Sequence, residues 1–242
     1  MKRSIATARR VLEQLAHDRR SVVLIVLLPS LLLLLFRYIY DGSPGTFDRV
    51  GPQMLGLFPF IIMFLVTSVT MVRERTSGTL ERLMTTPLRR GELIGGYAMA
   101  FGLAALLQAV ISSAVAIWLL GLSVDSPTAI VLFAVVDAVL GTALGLLMSA
   151  FATTEFQAVQ FMPLVVVPQI LLCGLLTPRD AMPAVLYGLS AVLPLSYVTD
   201  AFQTLTTSTG FGHDLVVDLV VLVGCCAAAL ALASLTLRRR TA

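Results

Sequence analysis

Apolar residues occupy six long runs of this chain, and charged residues collect between the runs. A helix rises about 1.5 Å per residue, so about 20 apolar residues cross a hydrocarbon layer about 30 Å thick. Runs of this kind, bounded by charges, prolines or glycines, predict six membrane-spanning helices: Ser21 to Phe36, Leu55 to Val72, Leu93 to Leu120, Ala129 to Phe151, Ala158 to Leu176 and Leu215 to Leu237. The pattern therefore predicts an all-α membrane protein.

The segment before the first run, residues 1–20, has the spacing of an amphipathic helix. Ile5, Ala8, Leu12 and Leu15 recur at helical intervals, and most of the basic residues fall elsewhere on the helical wheel. This predicts an interfacial helix on the membrane surface. Anionic lipid head groups would attract it by about 1 kcal/mol per basic residue.

Residues 177–212 are apolar but are interrupted by Pro178, Pro183 and Pro194. The stretch between the last two prolines is too short to cross a membrane, and a proline inside a helix removes a backbone hydrogen bond. Irregular backbone is tolerated at membrane depth only where protein buries it. The segment therefore predicts a broken pair of short helices at the outer face, just before the last span, which either re-enter the outer leaflet or lie on the protein there.

Composition and charge fix the class of protein and its orientation. Hydrophobic residues make up 57% of the 242 residues and charged residues 13%, a balance that excludes a water-soluble globular domain. The net charge of +3 is too small to indicate nucleic-acid binding. Of 17 lysines and arginines, all but Arg37, Arg49 and Arg179 precede the first span, follow the last, or lie between the second and third. The positive-inside rule then predicts a multi-pass membrane protein with both termini and residues 73–92 on the cytoplasmic side.

The charged segment between the second and third spans, residues 73–92, reads RERTSGTLERLMTTPLRRGE. Leu80 and Leu83 share one helical face, whereas Glu81 and Arg82 project away from it. This predicts a structured elbow with a short amphipathic helix. An ordinary positively charged loop is the alternative. The mixed signs favour docking to a cytoplasmic protein, because complementary charges set the choice of partner.

Two runs carry a resemblance to a known family. The run RERTSGTLERLMTTPLRRGELIGGY after the second span, and the later run PLSYVTDAFQ, resemble the type 2 ATP-binding-cassette (ABC) transporter permeases, especially bacterial drug-resistance exporters of the daunorubicin-permease kind. The likeness extends to the length and the six-span layout, and so implies a single transmembrane domain over residues 1–242. Leu193 is a departure, because the family usually has Asn before the late proline.

The resemblance implies a permease subunit of an exporter that moves a hydrophobic or amphipathic drug, antibiotic or lipid out of a bacterial cell. It also implies a second permease, identical or homologous, and two cytoplasmic ABC ATPases that bind ATP and Mg. The permease itself would be no enzyme and would need no cofactor. The sequence agrees in one respect, since it contains no G-x-x-x-x-G-K-[ST] phosphate-binding loop.

Individual residues match the family's two patterns. Those that would couple the permease to the ATPase are Glu74, Arg75, Gly78, Thr79, Leu80, Glu81, Arg82 and Pro87. The outer signature comprises Pro194, Tyr197 and Gln203. No catalytic residue and no metal site is predicted, because neither the cysteines nor the histidines have ligand or nucleophile spacing.

Residues within the spans suggest where a substrate would pass. Aromatic residues, methionines and one glutamine of the second and fifth spans could line an adaptable apolar path, the alternative being core packing or contact with lipid: Phe60, Met63, Phe64, Phe156, Gln160, Phe161 and Met162. Gly141 and Gly145 form a small-residue stripe that favours helix packing within the subunit.

Two other functions remain open from the residues. A polysaccharide or glycolipid export permease would have the same layout. An ion-coupled secondary transporter would need several intramembrane charges, and Asp137 alone supports it. Asp137 is read either as a cation- or proton-linked site or as a hydrogen-bonded or protonated packing residue.

Overall fold

The computed structural model describes residues 2–42, 44–77, 90–207 and 212–236, and the elements in these residues are helices. They are α1 Lys2–His17, α2 Arg19–Ile39, α3 Pro44–Thr76, α4 Arg90–Ala114 continued by a π-helical turn Val115–Leu119, α5 Pro127–Ser149, α6 Glu155–Leu172, a short 3-10 turn Arg179–Ala181, α7 Ala184–Ser190, α8 Pro194–Thr207 and α9 His213–Thr236. Among the predicted coupling residues, Gly78, Thr79, Leu80, Glu81, Arg82 and Pro87 lie outside the described residues.

Six of the described helices, α2 to α6 and α9, are long and apolar enough to cross a membrane, which confirms the predicted number of spans. The predicted boundary of the second span was wrong, because α3 already begins at Pro44 and continues through Pro52. The added turns are packed rather than loose: Phe47 is buried, and the Arg37 guanidinium lies 5.4 Å from the centre of its ring. Neighbouring helices can satisfy the backbone groups that a proline frees.

Helices α3 and α5 form the centre of the bundle. In their most apolar stretches 72% and 61% of residues are buried, against 17% in α2 and in α6. Contact between the two central helices is close at Gly141 and Gly145, where an added Cβ would lie 2.5 Å from the Phe60 carbonyl oxygen and 2.6 Å from that of Phe64. The predicted packing at this small-residue stripe is confirmed.

Helix α1 packs on α4 and α2 rather than standing apart from the bundle. Thr7, Ala8 and Val11 are buried, and a Cβ on Gly96 of α4 would meet the Thr7 Cβ at 2.6 Å. Ile5, which the spacing placed on the apolar face, is 56% exposed. The amphipathic helix is present, and Ala8, Leu12 and Leu15 of the predicted apolar face pack on the core, whereas Ile5 does not.

The segment before the last span is a bent pair, as predicted. Ala184–Ser190 and Pro194–Thr206 meet at 89° across a short break. Gly174 precedes the pair with φ +94, a left-handed conformation that glycine adopts without strain, and so ends α6 sharply. The chain then reaches the pair through the turn at Arg179–Ala181.

Candidate functional site

The charged segment leaves the bundle through three consecutive residues at the end of α3, Arg73, Glu74 and Arg75. Successive residues of a helix point about 100° apart. Each of the three side chains therefore contacts a different neighbour. We call this end of the bundle, where α1, the last turn of α3, the first turns of α4 and the α5–α6 turn meet, the basic end.

Glu74 is the centre of a buried three-residue network. Its Oε2 accepts hydrogen bonds from Arg10 Nη2 at 3.2 Å and from the Tyr97 hydroxyl at 2.9 Å, and Arg10 Nη2 also donates to Tyr97 Oη at 2.8 Å. The Glu74 side chain is only 12% exposed. A buried carboxylate is tolerated only with such partners, because desolvation costs several kcal/mol per ion. The network ties α3 to α1 and α4.

Arg73 lies on the side of α3 away from Glu74, and its guanidinium forms two hydrogen bonds to the carboxylate of Glu155 at the start of α6. Its Nε lies 3.0 Å from Glu155 Oε1 and its Nη2 3.3 Å from Oε2, while Nη1 lies 3.9 Å from Asp18 Oδ2. The side chains of Arg73 and Glu155 are 58% and 44% exposed, so solvent screens the pair. Such exposed pairs contribute about 1 kcal/mol at most, and the fork sets orientation more than stability.

Arg75 binds the end of α5. Its guanidinium donates to the Ser149 carbonyl oxygen and, at 3.4 Å, to that of Ala152. The last carbonyls of a helix lack intrahelical partners, and a cation there also meets the negative end of the helix dipole. Arg75 thereby joins α3 to α5 and to the turn that leads into α6.

Asp18 completes the basic end as the N-cap of α2. Its Oδ1 accepts from the Arg20 and Ser21 amides and its Oδ2 from the Ser21 hydroxyl at 2.9 Å. The Ser21 hydrogen bond is the main cause that lowers the pKa of Asp18 below its usual value, and the amides and Arg73 act in the same direction. The carboxylate form of Asp18 is thus favoured in the folded protein.

The structure places two of the predicted coupling residues, Glu74 and Arg75, in this network; the rest lie outside the described residues. Sequence reasoning did not single out Arg10, Tyr97 or Arg73 as members. Arg10 and Tyr97 are 87 positions apart, so no spacing in the chain links them. The mixed charge of residues 73–75 is the one local signal that marked the right place.

The opposite end of the bundle carries a second polar cluster, built around Arg179. Arg179 Nε donates to Ser190 Oγ at 3.0 Å, and its Nη1 donates to Asp200. The same guanidinium lies 5.5 Å from the ring centre of Tyr187 and 5.8 Å from that of Tyr197, within the range of cation–π attraction. One arginine therefore holds both arms of the bent pair.

The predicted outer signature falls within this region. Pro194 begins α8, and the Tyr197 hydroxyl donates to the Ala191 carbonyl oxygen at 2.7 Å across the bend. Gln203 lies exposed on α8. Tyr197 thus stabilises the bend directly, whereas Gln203 is two turns away from it.

The predicted substrate-path residues do not share one surface. Phe60, Met63 and Phe64 are fully buried between α3 and its neighbours. Phe156 is 71% exposed on α6, and Gln160 is exposed beside it. Phe161 and Met162 are half-buried, with Phe161 packed against Val72 and Ala158.

Asp137 is completely buried in α5, and within the described residues neither carboxylate oxygen has a hydrogen-bond partner. Helix α9 lies alongside, since Cys226 Sγ is 3.9 Å from the neighbouring Val136 carbonyl oxygen. Both readings of Asp137 stay predictions. No group of three His, Cys, Asp or Glu residues suited to a metal occurs in the part of the chain that the structure describes.

Six candidate spans, a surface helix packed on them and a bent pair before the last span define a multi-pass α-helical membrane protein. The sequence profile of the ABC-2 type transporter family matches residues 4–206. This match covers most of the chain, and the chain belongs to that family.

Curated relatives carry transport-permease names. The chain is 32% identical over 154 residues to "Probable multidrug ABC transporter permease YbhR" of Escherichia coli (strain K12), which is 62% of this chain and 41% of that protein. It is 26% identical over 206 residues to "Probable multidrug ABC transporter permease YbhS" of the same strain, 84% of this chain and 55% of the relative. It is 23% identical over 182 residues to "Linearmycin resistance permease protein LnrN" of Bacillus subtilis (strain 168), 73% of this chain and 46% of that protein. The chain thus spans about half the length of the curated relatives it matches.

Proposed function

We propose that this chain is the permease subunit of an ATP-driven ABC exporter, and that ATP is bound and hydrolysed with Mg on a separate ATPase subunit. The family supports a transport component of an ABC system. We further propose that residues 1–242 act as one transmembrane domain, located in a bacterial plasma membrane with the basic end in the cytoplasm. The concentration of Arg and Lys at that end supports this orientation.

The observation that carries the proposal is the divergence of Arg73, Glu74 and Arg75. Through them the last turn of α3 is bonded to α1, α4, the end of α5 and the start of α6. Helix α3 ends and helix α4 begins at this point. A force applied to the segment would therefore reach several helices and not α3 alone.

In the proposed mechanism, two ABC ATPases dock on residues 73–92 of this chain and of a second permease, identical or homologous. ATP binding closes the ATPase pair, and the segment passes that movement to α3 and α4, which opens a path toward the outside. ATP can drive such a change only because it binds the two states with different affinity. Glu74, Arg75, Gly78, Thr79, Leu80, Glu81, Arg82 and Pro87 would transmit force and take no part in chemistry.

We propose a hydrophobic or amphipathic drug, antibiotic or lipid as the cargo. The multidrug and linearmycin-resistance names of the relatives support this class. The exposed residues Phe156 and Gln160 on α6 are available to line a path, whereas the buried Phe60 and Phe64 would need the helices to separate first. Polysaccharide or glycolipid export is the second candidate, and ion-coupled transport would rest on Asp137 alone.

The test is reconstitution of the permease with its candidate ABC ATPase in vesicles. Reversing the charges of Glu81 and Arg82 should abolish binding of the ATPase. Replacing Arg75 with Gln should leave binding intact but reduce transport per ATP hydrolysed, because the link to α5 is lost. Arg49→Glu at the opposite end is the control for a change of charge, since Arg49 is an exposed arginine at the other end of α3. Unchanged binding after charge reversal at Glu81 and Arg82 would refute the docking assignment.

A further inference from the structure

A cavity of about 200 Å³ opens at the basic end between α1, α2, α3 and α4. Its floor is apolar and aromatic, and its rim is charged: the lining residues are Val11, Gln14, Leu15, Asp18, Ser21, Thr70, Arg73, Glu74, Tyr97 and Phe101. Val11, Tyr97 and Phe101 are buried, whereas the Asp18 and Arg73 side chains are 37% and 58% exposed. The cavity is therefore amphipathic along its depth.

The lining has the chemistry of an ammonium site. The Tyr97 and Phe101 rings lie 6.5 Å apart with an angle of 19° between their planes, so together they form an aromatic floor. Aromatic faces attract cations, most strongly where water is excluded. Both contacts of the Glu74 carboxylate fall on Oε2, which leaves Oε1 without a hydrogen-bond partner among the described residues.

The charges around the cavity do not balance. Among the lining residues, Asp18 and Glu74 supply two negative charges and Arg73 supplies one positive charge. The positive charge of a bound ammonium would cancel the one negative charge that remains. The contact between Arg73 Nη1 and Asp18 Oδ2 is long, at 3.9 Å, and Nη1 takes no part in the two hydrogen bonds of Arg73 to Glu155, so this nitrogen can contact a further ligand.

Size and position select the ligand. Drug pockets commonly exceed about 300 Å³. A volume of 200 Å³ corresponds to about seven waters, which is enough for a polar head but not for a whole amphiphile. The cavity also lies where α2 begins and α3 ends, and the ends of a membrane-spanning helix are where lipid head groups are expected.

We propose that this cavity binds the head group of a phospholipid that carries a primary amine next to its phosphate. The ammonium lies between the Asp18 and Glu74 carboxylates above the aromatic floor, the phosphate contacts Arg73, and the first acyl carbons follow Val11 and Leu15. A primary ammonium supplies three N–H donors, whereas a choline head group supplies none. The inference stands independently of the exporter assignment, because it requires only that the chain spans a membrane.

Photoreactive lipids test this site. The full chain is placed in phosphatidylcholine vesicles that contain a trace of photoreactive phosphatidylethanolamine or of photoreactive phosphatidylcholine, and mass spectrometry locates the cross-links. The amine lipid should label residues 11–21 and 70–74 about tenfold more than the choline lipid, the factor expected for one charge-assisted hydrogen bond. Equal labelling by the two lipids would overturn the proposal.

Matched variants distinguish binding in the cavity from a general attraction of the amine lipid to carboxylates on the protein surface. Asp18→Asn keeps an acceptor for the cap of α2 but removes the charge, so it should abolish the stronger labelling by the amine lipid. Asp125 is an exposed aspartate in the loop between α4 and α5, and Asp125→Asn should leave the stronger labelling by the amine lipid intact. Thr70→Leu fills the cavity without changing charge and should also abolish labelling, which keeps the test decisive if Asp18→Asn folds poorly. Equal labelling by a photoreactive alkylamine would overturn the phosphate contact and assign the cavity to cationic amphiphiles in general.

Discussion

Adjacent glycines on α4 allow a sharp test of how α1 is held. A Cβ added to Gly96 would lie 2.6 Å from Thr7 Cβ, 2.8 Å from its Cγ2 and 2.9 Å from the Ser4 carbonyl oxygen. A Cβ added to Gly95 would have no neighbour within 4 Å among the described residues. Ordinary contacts of a Cβ begin near 3.4 Å, so Gly96→Ala forces α1 outward by several tenths of an ångström. Gly95→Ala changes the same helix one residue earlier without touching α1.

The two substitutions should differ in their effect on the stability of the protein. Replacing Gly with Ala inside a helix stabilises by about 1 kcal/mol, and this gain applies to both variants. Overpacking at a close contact costs about 1 to 3 kcal/mol and applies to Gly96 alone. Gly95→Ala should therefore stabilise the protein, and Gly96→Ala should be less stable than Gly95→Ala by about 1 to 3 kcal/mol.

Hydrogen exchange along α1, measured together with thermal unfolding in detergent, separates these effects. In Gly96→Ala the amides of residues 4–17 should exchange faster, because a displaced α1 also weakens the hydrogen bonds of Arg10 to Glu74 and Tyr97. In Gly95→Ala exchange there should be unchanged. Equal stability and equal exchange in the two variants would refute the close packing of α1 on α4.

Three further outcomes follow from the structure. Arg179→Met should destabilise the bent pair by about 1 to 3 kcal/mol, measured as faster exchange in α7 and α8, and Arg179→Lys should recover only part because it cannot bridge both arms. Asp18→Ala should lower the free energy of unfolding by about 1 kcal/mol, because the cap of α2 is lost. Since folding lowers the pKa of Asp18, the stabilisation by its carboxylate is present above about pH 4 and is lost as the pH falls through the lower pKa of the folded state. The Asp18→Asn variant, which has no carboxylate at this position, should show no such loss in acid. Gly141→Ala should destabilise the α3–α5 contact while Gly224→Ala, which has open space around it, should not, and equal melting temperatures would contradict that packing.

Hydropathy predicted the number of spans and the bent pair, because both follow from length and composition along the chain. The first and last residues of each span were harder to predict. Asp48, Arg49 and Pro52 lie before the predicted start of the second span at Leu55, yet they belong to α3. Helix formation there depends on tertiary contacts, such as Arg37 over Phe47, that no local pattern contains.

The candidate site was predicted only where its signal was local. Mixed charge at residues 73–75 identified the exit from α3, but the partners Arg10 and Tyr97 come from distant segments and were not found. The same limit explains the predicted path: Phe60, Met63 and Phe64 look like adaptable apolar residues in a sequence, and only the packing shows that they are buried at the centre. Helical periodicity predicts which face of a helix is apolar, but it does not predict which other helix packs against that face.

The arrangement at the basic end has a consequence for coupling in the proposed exporter. The last turn of α3 is bonded to α4 through Glu74 and Tyr97, and both of these side chains are also bonded to α1 through Arg10. Helix α1 therefore cannot remain still on the membrane surface while α3 and α4 tilt, unless the Arg10 contacts break. Since α1 also packs on Gly96, we expect the surface helix to move with the coupling segment as one body.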